Sequence, residues 1–451
     1  MKKTTFLLLS LILSTHFLFA QEDKDTNPEP FPPVDKALTE APSLPEIELS
    51  SSHIPPILAQ TPDVDFSGKR DEVDFEALRK WIREKRLVTM REIGGDLSLS
   101  GEVRTEFQWQ NEKANGIRQR GSQAATRRPE RTWDVELNVM LDYRTDRTWA
   151  VVKIEYDNDM GVRSGTLNAL ALEKAYFGGR IINGDTFTWD AELGRRSLNN
   201  VFDSKVMYSA LFDGLVLKFS KAFISIGDFY VNAGAFVIDE RNNHYGFVGE
   251  LGMLRIGNTG FLAKISTIDW KKKYASDPLL TDRYDFVISQ LMIGYQFYAQ
   301  SWEKLVKFYA ATSYNWAAER RVITANKKAA YSWYAGLSVG QVRKQGDWAV
   351  DLNYQYVCPQ AIPSYDVLGI GHGNAAGVGL YTMNINGSGG PTTRATATGN
   401  ANYKGVCMEL LYAFTDNLTL LESFEYSVNQ DKAVGPYIKY KKFEAEFIYA
   451  F

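Results

Sequence analysis

From Gly95 to the C-terminus, apolar and polar residues alternate with a period of two. Leu97, Leu99, Val103, Phe107 and Trp109 interleave with Ser98, Ser100, Glu102, Arg104, Glu106 and Gln108. Trp133, Val135, Leu137, Val139, Leu141 and Tyr143 interleave with Asp134, Glu136, Asn138 and Asp142, and the same beat returns over 187–194 and 331–339. Successive side chains of a strand point to opposite faces, so each run predicts a strand with one oily and one wet face. The final run places Phe443, Ala445, Phe447, Tyr449 and Phe451 in one row and Glu444 and Glu446 in the other. Two stretches are less clear: 170–179, where Glu173 and Lys174 are adjacent, and 222–236. Glu422 also interrupts the apolar row Leu418, Leu420, Phe424, Tyr426; a bulge, a protomer interface or a misplaced strand would each account for it.

The links between strands alternate strictly in length. Short ones fall at 144–146, 183–185, 220–221, 257–259, 300–301, 344–346 and 415–417. Long polar ones fall at about 111–131, 158–168, 197–210, 232–244, 271–283, 317–328, 359–400 and 429–438. A soluble sandwich also alternates. Aromatics near the strand ends, with charges on nearly every polar row, favour instead a transmembrane barrel with a wet lumen, short turns on one side and long loops on the other. The predicted fold class is therefore all-β: a transmembrane antiparallel β-barrel of about sixteen strands over 95–451, with fourteen or eighteen as alternatives.

The N-terminal part reads differently. Lys2 and Lys3, the apolar run 6–13 and Phe17-Leu18-Phe19-Ala20 make residues 1–20 a signal peptide; the run is too short for a membrane anchor. Residues 21–65 hold nine of the fifteen prolines and read as a disordered periplasmic arm. Within 66–94, residues 71–86 show helical spacing of Phe75, Leu78 and Ile82, with Trp81 beside them. The opposite, basic face would rest on the barrel base, contact envelope polymer, plug the lumen or join protomers.

Composition narrows the function classes. A formal net charge of −3 gives no sign of nucleic-acid binding. Four His, one of them in the signal peptide, leave little for a metal site, and no cofactor is expected. By strand phase Cys358 points to lipid and Cys407 inward, so free thiols are expected. His244 and His372 fall in predicted loops with no placeable Ser or Asp partner, which argues against an enzyme.

The closing strand resembles that of bacterial outer-membrane β-barrels. That resemblance implies an assembly signal on Phe447, Tyr449 and Phe451, read by the barrel-assembly machinery. Residues 95–451 resemble the bacterial porin class in terminal strand, alternation and link rhythm. This implies an outer-membrane channel of a Gram-negative-type bacterium, embedded in lipid and lipopolysaccharide, passing small hydrophilic solutes and ions by diffusion, and assembled as a homotrimer. The alternative is a structural or adhesin barrel presenting its loops.

Phase nominates the pore-lining charges Glu102, Arg104, Glu106, Glu136, Asp142, Lys153, Glu155, Asp190, Glu192, Arg196 and Lys307, with Arg195 beside Arg196 at the start of a long link that would fold inward. For each the competing role is a wall ion pair without effect on selectivity. The outer links are basic: Arg118, Arg120, Arg127, Arg128 and Arg131 in the first, Lys271–Lys273 and Arg320, Arg321, Lys327 and Lys328 further on. Such a vestibule would enrich anions, and a weak anion preference is the favoured reading; it would equally hold lipopolysaccharide phosphates or simply be solvated. The Gly-rich link 359–400 is either a surface loop or an inward constriction.

Overall fold

The computed structural model describes residues 90–92, 95–121, 129–160, 169–197, 201–207, 211–239, 244–270, 286–320, 327–363, 368–370, 402–432 and 437–451. Its contacts divide the chain after Asp63. The signal peptide, the Pro-rich arm and the 71–86 helix expected from the sequence lie outside the described residues.

Sixteen long strands carry the fold: β1 (Gly95–Ala114), β2 (Arg131–Arg144), β3 (Thr148–Asp159), β4 (Ala169–Asn183), β5 (Phe187–Ser197), β6 (Leu211–Phe223), β7 (Gly227–Asp239) and β8 (His244–Leu254). They continue as β9 (Phe261–Asp269), β10 (Val287–Ala299), β11 (Lys304–Asn315), β12 (Tyr331–Gly340), β13 (Trp348–Val357), β14 (Tyr403–Ala413), β15 (Leu418–Asn429) and β16 (Ile438–Ala450). Two short segments, Met90–Glu92 and Ile117–Arg118, add to β1.

Every strand pairs antiparallel with its sequence neighbours, and β16 returns to pair with β1 from Ile438↔Ala114 to Ala450↔Glu102. The sheet is thus a closed barrel of sixteen strands, as the sequence predicts, and closure removes the edges that would otherwise seek a partner. The last residue completes the seam. Phe451 and Gly101 exchange two backbone hydrogen bonds of 2.9 Å. A Cβ on Gly101 would fall 2.5 Å from the Phe451 ring, so glycine is needed there for the terminal aromatic to lie flat on the wall.

Some boundaries move. The expected link 232–244 shrinks to 240–243, because Val231, Ala233, Ala235 and Val237 keep the outward apolar beat and β7 runs on to Asp239. His244 accordingly opens β8 and is not a loop residue. The turn expected at 220–221 lies after Phe223, where β6 ends. The unclear stretch 170–179 contains a register shift at Glu173, and a second shift follows at Ile181. Each is the signature of an extra residue bulged into one strand. Glu422 has a different explanation: β15 runs unbroken, and Glu422 stands on the outer wall between Leu410 and Ala445.

The two faces separate as parity demands. Large apolar residues crowd the outside; Phe177 and Phe247 are each 60% exposed and Leu170 is 74% exposed. Left in water, each would forgo about 1.5–3 kcal/mol of burial; in hydrocarbon such a wall is at home. Among the described residues, no helix is long and apolar enough to cross a membrane.

Candidate functional site: the barrel interior

The largest departure from a plain barrel is the segment 201–207 between β5 and β6. All seven of its residues are buried, and Val201, Phe202, Val206 and Met207 are fully so. The sequence nominated this link as one that would fold inward, and it packs on the inner wall. Phe212 and Val216 of β6, Phe236 of β7, Val248 of β8, Ile268 of β9, and Ile288 and Met292 of β10 join it in one apolar cluster. Trp270 and Phe286 extend the cluster at the loop end, with the Trp270 and Phe236 rings 5.1 Å apart edge to face.

Polar clamps fix the segment. The Asp203 N–H donates to Glu250 Oε2 at 2.7 Å, and Lys264 Nζ donates to Asp203 Oδ2 at 2.7 Å. Glu250 also accepts from Ser266 Oγ and the Tyr230 hydroxyl, each at 2.7 Å. Two residues on, Lys205 Nζ lies 3.3 Å from Asp351, which accepts from the Tyr309 hydroxyl at 2.7 Å. Buried charges persist only when paired in this manner.

The long link after β13 enters as well. Residues 358–363 are buried, and Leu368 N–H donates to Val206 O at 3.0 Å. Gly369 packs so tightly that a Cβ would lie 2.2 Å from both Gln355 Oε1 and the Tyr403 hydroxyl. The described part of this link therefore takes the inward alternative; residues 371–400 lie outside the described residues.

Contact with the infolded segment identifies the inner face, and strand register carries it round the barrel. From Asp351 the inward row passes through Glu409, Ser423, Glu444 and Gln108. On that face stand Glu102, Arg104, Glu106, Glu136, Asp142, Lys153, Glu155, Asp190, Glu192, Arg196 and Lys307. Most of them take part in ion pairs. Arg104 lies 2.7 Å from Glu102, 3.2 Å from Glu446 and 3.8 Å from Glu136. Asp142 pairs with Arg144 at 2.9 Å, Asp190 with Arg180 at 2.9 Å and Glu192 with Lys218 at 3.0 Å. Glu192 also pairs with Arg196, whose guanidinium lies 4.8 Å from the Tyr176 ring. Lys153 joins Glu173 and Glu155, and Lys307 lies over the Tyr309 ring.

Three placements correct the sequence reading. Arg195 is on the opposite row from Arg196: it is exposed on the outer wall and pairs with Asp213 at 2.7 Å, because adjacent residues of a strand cannot share a face. Arg120 is not in an open vestibule; it is buried against Glu112 at 3.5 Å. Cys358 is not exposed to lipid. β13 ends at Val357, and Cys358, one residue beyond, is buried in the same apolar cluster as Cys407. Both thiols are free, as expected. Burial pushes the Cys358 thiol up to about 11.

Phase alone overlooked the residues that complete the interior. Glu444 and Glu446 were visible in the inward row of the last strand. Lys264, Glu250 and Asp351 each lie among polar or apolar neighbours that give no local cue, and their importance comes from the segment they hold. Among the described residues, no group of His, Cys, Asp and Glu is arranged to hold a metal.

The geometry defines a class: a closed sixteen-strand antiparallel barrel with an oily outer wall, a charged interior and an infolded segment. No protein-family model and no curated protein matches the chain. Among solved structures it is similar to OprB of Pseudomonas putida, with 11% identity over 84% of this chain and 97% of that one and a TM-score of 0.49. It is similar to Salmonella typhi OmpF in complex with daunomycin (12% identity, 81% and 100% covered, TM-score 0.48). The outer membrane channel DcaP of Acinetobacter baumannii gives 11% identity, 80% and 99% covered, and a TM-score of 0.44.

Proposed function

We propose that the chain is an outer-membrane porin of a Gram-negative-type bacterium, a water-filled channel for passive diffusion of small hydrophilic solutes and ions. One observation carries this reading. The inner faces of β1–β5 are lined by charged side chains, whereas the infolded segment packs against β6–β13. A barrel of sixteen strands is wide enough to keep water beside such a segment. Purified protein in planar bilayers is expected to give stepwise single-channel openings. A barrel that serves only to present its loops would give none.

The same reading includes export by residues 1–20, assembly through Phe447, Tyr449 and Phe451, and a homotrimer. Glu422 supports an oligomer: it stands on the lipid-facing wall with no ion pair among the described residues, a costly place for a carboxylate unless another protomer covers it. A monomeric mass for the detergent-extracted protein would sink that part. Contact with lipopolysaccharide has support on the outer wall, where Lys404, Val428, Lys439, Lys113 and Arg118 form one lateral row at the loop ends of the strands. Arg118 already pairs with Glu130 at 3.1 Å, but the adjacent Lys439 and Lys113 destabilise each other unless an anion lies between them. Lys113→Gln, Lys404→Gln and Lys439→Gln together are expected to strip lipopolysaccharide from the purified protein; full retention would count against the contact.

A further inference from the structure

We propose that the channel favours cations over anions, because the inner wall opposite the infolded segment is acidic. The inference rests on the diffusion-channel reading above.

The first support is confinement. On the inner face of β6–β10, Val216, Phe236, Val248, Ile288 and Met292 are 5% exposed or less beneath the infolded segment. That dry packing leaves no room for a hydrated ion. On the opposite arc, by contrast, Arg104, Glu106, Asp134, Glu136, Glu155 and Glu444 of β16 to β3 keep part of their surface exposed, and permeating ions are directed along it.

The second support is the charge of that arc. Glu446, Glu106 and Asp134 are directly opposite one another in a single lateral row across β16, β1 and β2. Cross-strand neighbours of like charge repel. Arg104 is shared among Glu102, Glu136 and Glu446, and Lys442 is held by Glu444. Glu106 and Asp134 have no ion pair among the described residues. Glu106 accepts a hydrogen bond from Gln108 and lies in the field of Lys442.

The third support is a buried acceptor without a partner. Asn138, 3% exposed, donates from its amide nitrogen to Glu102 at 2.9 Å and to Glu136, while its carbonyl oxygen has no partner. An unpaired oxygen between two carboxylates suits water or a cation and repels an anion. Fields inside a low-dielectric wall are focused along the lumen, so this arc outweighs basic residues on outer links, where salt screens them.

The test is the reversal potential of the full-length protein in planar bilayers under a potassium chloride gradient. Wild type is expected to pass K+ about threefold or more over Cl−, the ratio given by a potential of about half a kT acting oppositely on the two ions. The triple variant Glu106→Gln, Asp134→Asn, Glu446→Gln should keep its stepwise openings and lose at least about half of that ratio. Glu422→Gln removes a carboxylate from the outer side of the same wall and should leave the ratio unchanged. Openings without cation preference overturn this inference alone, as does a triple variant that opens with an unaltered ratio. A Glu422→Gln effect as large as the triple variant's would also overturn it. No openings at all would overturn the channel reading, and this inference with it.

Discussion

The inner wall of β6–β13 and that of β15 to β5 are built from the same alternating strands yet meet opposite surroundings. Along the first, the inward row is Val216, Phe236, Val248, Ile268 and Ile288, and it packs against a segment of its own chain. Along the second, the inward row carries Glu102, Glu106, Asp134, Lys153 and Glu192. Apolar side chains in a wet lumen would be as misplaced as unpaired carboxylates under a dry segment. The infolded segment therefore decides which chemistry each arc requires. In the dry arc packing and paired buried charges supply stability. In the second arc the charges pair mostly with one another, and on the proposed channel reading the partly exposed Glu106 and Asp134 act on what passes.

This contrast predicts unequal costs for single substitutions. The largest belongs to Lys264→Met, which strands Asp203 and Glu250 beneath the segment. A buried charge left without its partner costs about 3–5 kcal/mol, read as an earlier urea unfolding transition in detergent or lipid. Phe236→Ala removes a buried ring that contacts both Phe212 and Trp270 and should cost about 3 kcal/mol, with noisier or larger single-channel currents as the segment loosens. Gly101→Val drives a side chain into the Phe451 ring at the seam and should cost about 1–3 kcal/mol, visible as barrel dissociation at lower temperature in detergent gels.

In the wet arc the same kind of change should barely register as stability. Glu444→Gln loses a pair with Lys442 and should shift unfolding by less than about 1 kcal/mol, while moving the reversal potential toward chloride. A drop as large as that of Lys264→Met would erase the distinction between the arcs. The smallest effect concerns Cys358. With its thiol pushed up to about 11 by burial, only the protonated, unreactive form is populated at pH 8. Maleimide labelling of the folded protein should be negligible there and rise as pH approaches that value; rapid labelling at pH 8 would place this residue outside the dry core.

Much of the wall is legible from residue order. Parity assigns Phe447, Tyr449 and Phe451 to one face and Glu444 and Glu446 to the other, and link lengths give the sixteen-strand count. Two of the difficulties fall where parity stops applying, and a third where it was not applied. Cys358 lies one residue beyond the end of β13, where the chain covers it, so extrapolating the strand predicted an exposure to lipid that it does not have. Leu170 to Ile182 hides two bulges, each of which resets the alternation. Arg195 was grouped with Arg196 by sequence adjacency, although adjacency in a strand means opposite faces.

The amino-acid sequence by itself determined which side of the wall most residues occupy, because that depends only on a side chain's position within its own strand. It also marked 197–210 as a link able to turn inward. What lies inside was decided by the tertiary structure. Lys264 meets Asp203 across 61 residues and Gln355 reaches Lys205 across 150. Glu446, Glu106 and Asp134 line up only because the last strand closes on the first. Such meetings are set by register between distant strands, and a local period of two carries no information about register.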